Sequence, residues 1–145
     1  MVELDLLFAE LDPATLGELQ GRKRGRVLGL SGLDWVPGVA RSTLFGLLNE
    51  LPIWRGKSFE GEFGANAWLL ASQRLQFARF LVREAPALDG GGMVIRLDYD
   101  VAANPAPLRR IVGELRHLGP GLFLARMQYL WGERVLKVLY VTLES

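Results

Sequence analysis

From residue 54 onward the chain is a succession of strand-length runs rich in aromatic and branched residues: WRGKSFEG, ANAWLLA, QRLQFARFLVREA, MVIRLDYD, LFLARMQYLW and ERVLKVLYVTLE. Such runs fit a pleated, half-buried surface. Glycine marks the breaks between several of them. Asp89-Gly90-Gly91-Gly92 is a turn, and Gly132-Glu133, glycine first, suits a two-residue type II′ hairpin loop. In MVIRLDYD, Met93, Ile95, Leu97 and Tyr99 point one way and Val94, Arg96, Asp98 and Asp100 the other. Upstream, GELQG and RVLGL add two short strand candidates on either side of a basic turn at Arg22-Lys23-Arg24. About seven or eight strands with few helices are accommodated by a closed antiparallel barrel, which leaves no exposed edge.

Helical spacing is confined to a few places. Leu4, Leu7, Phe8 and Leu11 predict a packed helix at the N-terminus, and Asp12-Pro13 caps a second short one. Residues 39–49, ended by Pro52, form another helical pattern. Leu108, Ile111, Val112, Leu115 and Leu118 make one apolar stripe, which predicts a helix over 105–118. Asn104 would cap it, Pro105 would open it and Gly119 would stop it. On that reading Asp100 turns back to Arg109, Arg110 or Arg126 and clamps the helix to the barrel mouth. Residues 1–145 read as one domain, with 1–50 packed on a barrel built mainly from 51–145.

Composition narrows function more than it names it. Half of the 145 residues are hydrophobic, so a substantial core is affordable, and a net charge of +1 supplies no field for nucleic acid or an anionic membrane. The absence of cysteine removes disulfides and thiolate chemistry and fits a reducing compartment. The N-terminus lacks the pattern of a signal peptide, and no run approaches the roughly 18 apolar residues of a membrane span, so the expected location is cytoplasmic. The basic run 21–26 has no interleaved aromatic and reads as a solvated turn.

Catalytic motifs are weak. Gly56-Lys57-Ser58 would need glycine at position 51 to be a phosphate loop, and that residue is Leu51. His117 is the single histidine, and no serine sits in a nucleophile motif. One histidine without cysteine gives no metal set beyond a weak oxygen site at Asp98 and Asp100, and no cofactor is called for. Those two aspartates share a strand face, which would suit an acid–base pair. Turn or cap bonding, or pairing to arginine, is the commoner use.

WRGKSFEG, residues 54–61, resembles the W-Y-G-K-R-F-D-G element of an uncharacterised family that pairs a Gly-x-Trp-x-Gly segment with a C-terminal domain of unknown function. PATLGELQG takes the place of that family's opening segment, and DYDVAANPAPLRRIVGELRHLGPGLFLARM is similar to its Tyr-Asp, proline and following elements. The resemblance spans most of residues 13–144 by scattered motifs. Leu19 stands where the family has its signature tryptophan, and the histidine that follows that segment is absent. The resemblance implies a lipocalin-like barrel able to hold a small apolar molecule, and it implies no activity.

The polar residues that interrupt apolar strands carry the remaining information. Arg126 and Gln128 alternate with Phe123, Ala125, Met127, Tyr129 and Trp131, so the two rows face opposite sides. Solvent is the ordinary place for the polar row; in a closed barrel, an inward row would require a ligand or ion pairs to Asp98 or Asp100. The leading expectation is a non-enzymatic barrel that binds a small hydrophobic or amphipathic molecule. Trp54, Trp68, Phe77 and Trp131 would serve as wall, and Lys57, Asp98, Asp100 and Arg126 as polar contacts. The alternatives are an isomerase or hydrolase using Asp98, Tyr99 or Asp100, and a protein that self-associates, as a homodimer, through its aromatic strands.

Overall fold

The computed structural model describes residues 2–30, 54–68 and 79–145. The expected helix at 39–49 and Phe77 lie outside the described residues. Eight antiparallel strands form a closed barrel: β1 (Gly21–Leu30), β2 (Trp54–Glu60), β3 (Phe63–Trp68), β4 (Arg79–Pro86), β5 (Met93–Asp98), β6 (Ile111–Gly119), β7 (Leu122–Trp131) and β8 (Arg134–Glu144). Each strand pairs with its neighbour in sequence, and β8 closes the ring on β1, with Val27 opposite Val141. Because side chains alternate across a strand, Ile95, Leu97, Leu115, Phe123, Ala125 and Leu143 meet inside the ring with Phe59 and Phe80. Gly113 belongs to that layer, where a Cβ would lie 3.0 Å from Leu97 Cβ and 3.1 Å from Met127 Sδ. Gly132 takes φ +58° in the two-residue loop between Trp131 and Arg134, as a primed hairpin turn requires.

The chain before β1 treats the barrel's two surfaces differently. Helix α1 (Val2–Glu10) lies outside the wall, where Phe8 packs with Val94, Leu124 and Tyr140. Leu4 and Leu11 join that cluster, but Leu7 is exposed, so the helix buries a narrower stripe than its spacing predicted. A 3-10 turn at Leu16–Leu19 then packs Leu19 into the interior beside Ala14 and plugs the end of the barrel where β1 begins. The Gln20 side chain ties this plug to the β2–β3 turn by accepting from Gly61 N at 2.8 Å. Leu19 is therefore a fully buried stopper.

Three expectations are corrected here. The run GELQG is this 3-10 turn, not a strand. Arg22-Lys23-Arg24 lies within β1, not in a turn; Arg22 and Arg24 are exposed while Lys23 turns inward, which is strand alternation. The helix expected at 105–118 is a single 3-10 turn, Leu108–Arg110, followed by β6. Ile111 to His117 pair residue by residue with Tyr129 to Phe123, so the backbone bonds of this segment go to β7 rather than along a helix. Asn104 accordingly caps no helix. It is buried and staples β4 to the loop after β5: its Nδ2 donates to Arg79 O (2.6 Å) and Tyr99 O (2.7 Å), and its Oδ1 accepts from Arg79 N (3.0 Å).

Candidate site: a buried amine and phenol in an apolar cavity

Opposite the Leu19 plug, towards the end where β1 and β7 finish and β6 and β8 begin, the described residues surround a cavity. Its volume is about 330 Å³, and its lining includes Val27, Ile111, Met127 and Leu139 together with the polar Lys57, Tyr99 and Gln128. Lys57 is carried in by strand alternation on β2: its neighbour-but-one, Phe59, also faces the core, and its β1 partner, Lys23, faces inward too. The two amines are served differently. Lys23 Nζ donates to Ser145 Oγ at 2.7 Å and to Gln20 O at 3.1 Å, at the plugged end. Lys57 Nζ is hydrogen-bonded to the Tyr99 hydroxyl at 2.5 Å and lies 5.1 Å from the centre of the Phe80 ring. Lys57 is 2% exposed and Tyr99 1%. Burial disfavours the charged amine and brings the Lys57 pKa down to about 7.

Tyr99 reaches the cavity because it continues the Ile95–Leu97 row on the inner face of β5. Asp98 and Asp100 continue the other row and stand outside the barrel. Asp98 meets Arg83 at 3.5 Å and Asp100 meets Arg109 at 2.7 Å, both pairs among exposed or half-exposed side chains. The Asp100–Arg109 contact expected from the sequence thus exists, but it braces a surface turn. The two carboxylates are separated by the wall from the cavity, so they form no acid–base pair there. Trp131, at the β7–β8 hairpin, is 61% exposed and is not a cavity wall. Trp54 and Trp68 face each other in register across β2 and β3; their side chains lie outside the described residues.

Arg126 does face away from the interior, yet it does not reach solvent, because α1 and its flanking loops lie over the outer face of β6–β8; Gln128, also buried, borders the cavity instead. Arg126 pairs there with buried Glu114 (Nη2 to Oε2, 2.5 Å) and with Asp89 (3.0 Å), rather than with Asp98 or Asp100. Glu114 also accepts from Leu88 N at 2.6 Å. Burial alone would lower the Arg126 pKa, but the Glu114 and Asp89 carboxylates outweigh it and raise it. Arg116 caps the C-terminal end of α1, donating to Phe8 O (2.8 Å) and Ala9 O (3.2 Å), and also bonds Gly91 O. The Phe8 ring is in contact with both guanidinium groups, 4.9 Å from Arg116 and 4.3 Å from Arg126. Asp5 completes the cluster through Tyr140 (2.6 Å) and Lys137 (3.0 Å). Burial would raise the Asp5 carboxyl, yet these two partners hold it below the usual range, while burial and Asp5 together push the Tyr140 phenol up. This outer network fastens the helix to the wall.

Of the polar residues singled out in the sequence, the cavity brings together Lys57, Tyr99 and Gln128. Among the described residues no group of histidine, cysteine, aspartate or glutamate is arranged to hold a metal ion. None of the described helices is long and apolar enough to cross a membrane. A broader depression of about 630 Å³ lies beside the β2–β3 hairpin, bordered by Phe59, Phe63, Arg79 and Val101; exposed Phe63 and Arg79 leave it open to water.

The fold and its cavity define a class, an eight-stranded closed antiparallel barrel with an internal cavity. No family model matches the chain, and no curated protein matches it. A crystal structure of a protein from Thermomonospora curvata superimposes with a TM-score of 0.60 at 18% identity, over 99% of this chain and 85% of that one. That likeness is one of fold.

Proposed function

We propose that the barrel binds a small, mainly apolar molecule carrying one oxygen-bearing end group, which lies against Lys57 and Tyr99. The observation behind this reading is the pairing of a cavity of about 330 Å³ with a buried amine and phenol in a mainly apolar wall that Gln128 also borders. Ligand sites combine apolar lining with a few convergent polar groups at about this volume, and barrels of about eight strands have room for one small ligand. The apolar wall supplies affinity, and the amine and phenol select and orient the head. The resemblance of residues 54–61 to the Gly-x-Trp-x-Gly proteins belongs to the same proposal, because Lys57 and Phe59 of that element are the residues that turn inward. Cytoplasmic residence is part of it as well, on the absence of cysteine.

Calorimetric titration of straight-chain carboxylates and the matching alcohols tests the reading. One saturating site is expected, with the carboxylate preferred at pH values where the amine is protonated and that preference lost in Lys57→Met. Absence of any saturable binding, or a preference that survives Lys57→Met, would overturn it.

A further inference from the structure

We propose that Lys57 captures a carbonyl compound, an apolar aldehyde or ketone, as a reversible imine inside the barrel, with the Tyr99 hydroxyl shuttling the protons. The inference rests on the binding reading above and narrows its ligand class. Three features of the cavity carry it. The amine lines the same cavity as Val27, Ile111 and Met127, so an apolar carbonyl compound seated there lies within reach of Nζ. The hydroxyl is already at hydrogen-bonding distance, 2.5 Å, on the buried residue directly after β5, whose carbonyl is held by Asn104 Nδ2. The apolar lining favours the neutral amine, which is the nucleophilic form, and resists the water that would return an imine to its components. Lysine is also sparing in this chain: the sequence has three, and two of them, Lys23 and Lys57, are turned into the barrel.

The chemistry balances without a further reactant. The Lys57 lone pair forms a bond to the carbonyl carbon while the C=O π pair moves to oxygen. Tyr99 gives that oxygen its proton and recovers one from the nitrogen, leaving a carbinolamine. Tyr99 then protonates the hydroxyl, which leaves as water as the nitrogen lone pair closes the C=N bond, and the second N–H proton passes back to the Tyr99 oxygen. One carbonyl compound and one amine become one imine and one water, and nothing is oxidised or reduced.

The test is reductive trapping: full-length protein, octanal and cyanoborohydride, then peptide mapping by mass spectrometry. Octanol and octanoate are titrated in parallel as non-covalent controls. The alkyl adduct is expected on Lys57 in preference to Lys23, Lys137 and the amino terminus, and Lys57→Arg should lose it. Its rate should rise with a midpoint near pH 7, following the amine's lowered pKa, while free lysine keeps accelerating toward about pH 10. Tyr99→Phe should slow labelling by roughly a hundredfold. Labelling spread evenly over the amines, or no faster at Lys57 than on free lysine, overturns the proposal. Saturable octanol or octanoate binding with no Lys57 adduct removes the covalent step and leaves the binding site standing. Failure of all three ligands removes both.

Discussion

Lys57 keeps an amine where a protonated one is costly, and that sets a pH dependence for the whole fold. In the unfolded chain a lysine holds its proton up to about pH 10.4, whereas in the barrel it loses it near pH 7. Between those values the unfolded state binds more protons, so stability rises with pH across that window and is lowest, for this group, below pH 7. Lys57→Met removes the group. The stability of wild type relative to Lys57→Met should therefore improve by about 3 kcal/mol between pH 7 and about pH 9.5, read from paired urea titrations. A pH-independent difference would show that the amine stays charged in the fold. The sequence placed Tyr99 correctly opposite Asp98 and Asp100, because period-2 alternation in MVIRLDYD is clean, and it singled out Lys57 within WRGKSFEG. It could not say which face was the inside, since each row carries both apolar and polar residues. Asn104 was misread because its partner Arg79 is 25 residues away, and Asn-Pro next to an apolar stripe reads locally as a helix start.

At the scale of the element, β6 explains why a strand was read as a helix. Its inner face meets the core through Leu115, and its outer face is covered by α1 and its flanking loops, so Val112, Glu114 and Arg116 are buried as well. A strand buried on both faces loses the alternation that identifies strands, and here the remaining apolar positions fall by accident at helical spacing. Gly113 in mid-run and the β-branched pair Ile111-Val112 were the contrary signals. Glu114 and Arg126 are opposite each other in register on β6 and β7 and nearly solvent-free, so the cost of separating them is large. Arg126→Met should destabilise by about 3–5 kcal/mol, because the Glu114 carboxylate is left buried and uncompensated. Adding Glu114→Gln to Arg126→Met should recover part of that loss, since the amide still offers Leu88 N an acceptor without the charge. A double variant less stable than Arg126→Met alone would mean that the burden lies in packing rather than in charge.

Taken as a whole, the barrel wall is loaded on both sides, with the cavity and its amine within and the helix α1 and its ion network without. β7 shows both in one strand, with Met127 on the cavity and Arg126 under Phe8. Such a wall permits binding and stability to be altered separately, since a ligand inside and a helix outside have no side chain in common. Phe8 is 1% exposed and packs on Tyr140 at 6.1 Å between ring centres, so Phe8→Ala should cost about 3–5 kcal/mol. Octanol binding should stay within about threefold of wild type in that variant, since less than roughly 1 kcal/mol of the contacts it makes would change. Leu139→Trp is the converse. Leu139 is half-buried and lines the cavity, so the larger ring occupies empty volume instead of displacing packed neighbours. Its urea midpoint should remain near wild type while octanol affinity falls at least about tenfold, a loss of roughly 1.4 kcal/mol or more. If both substitutions lowered stability and binding together, the inner and outer surfaces would be one cooperative unit, and the cavity would depend on the helix that covers its wall.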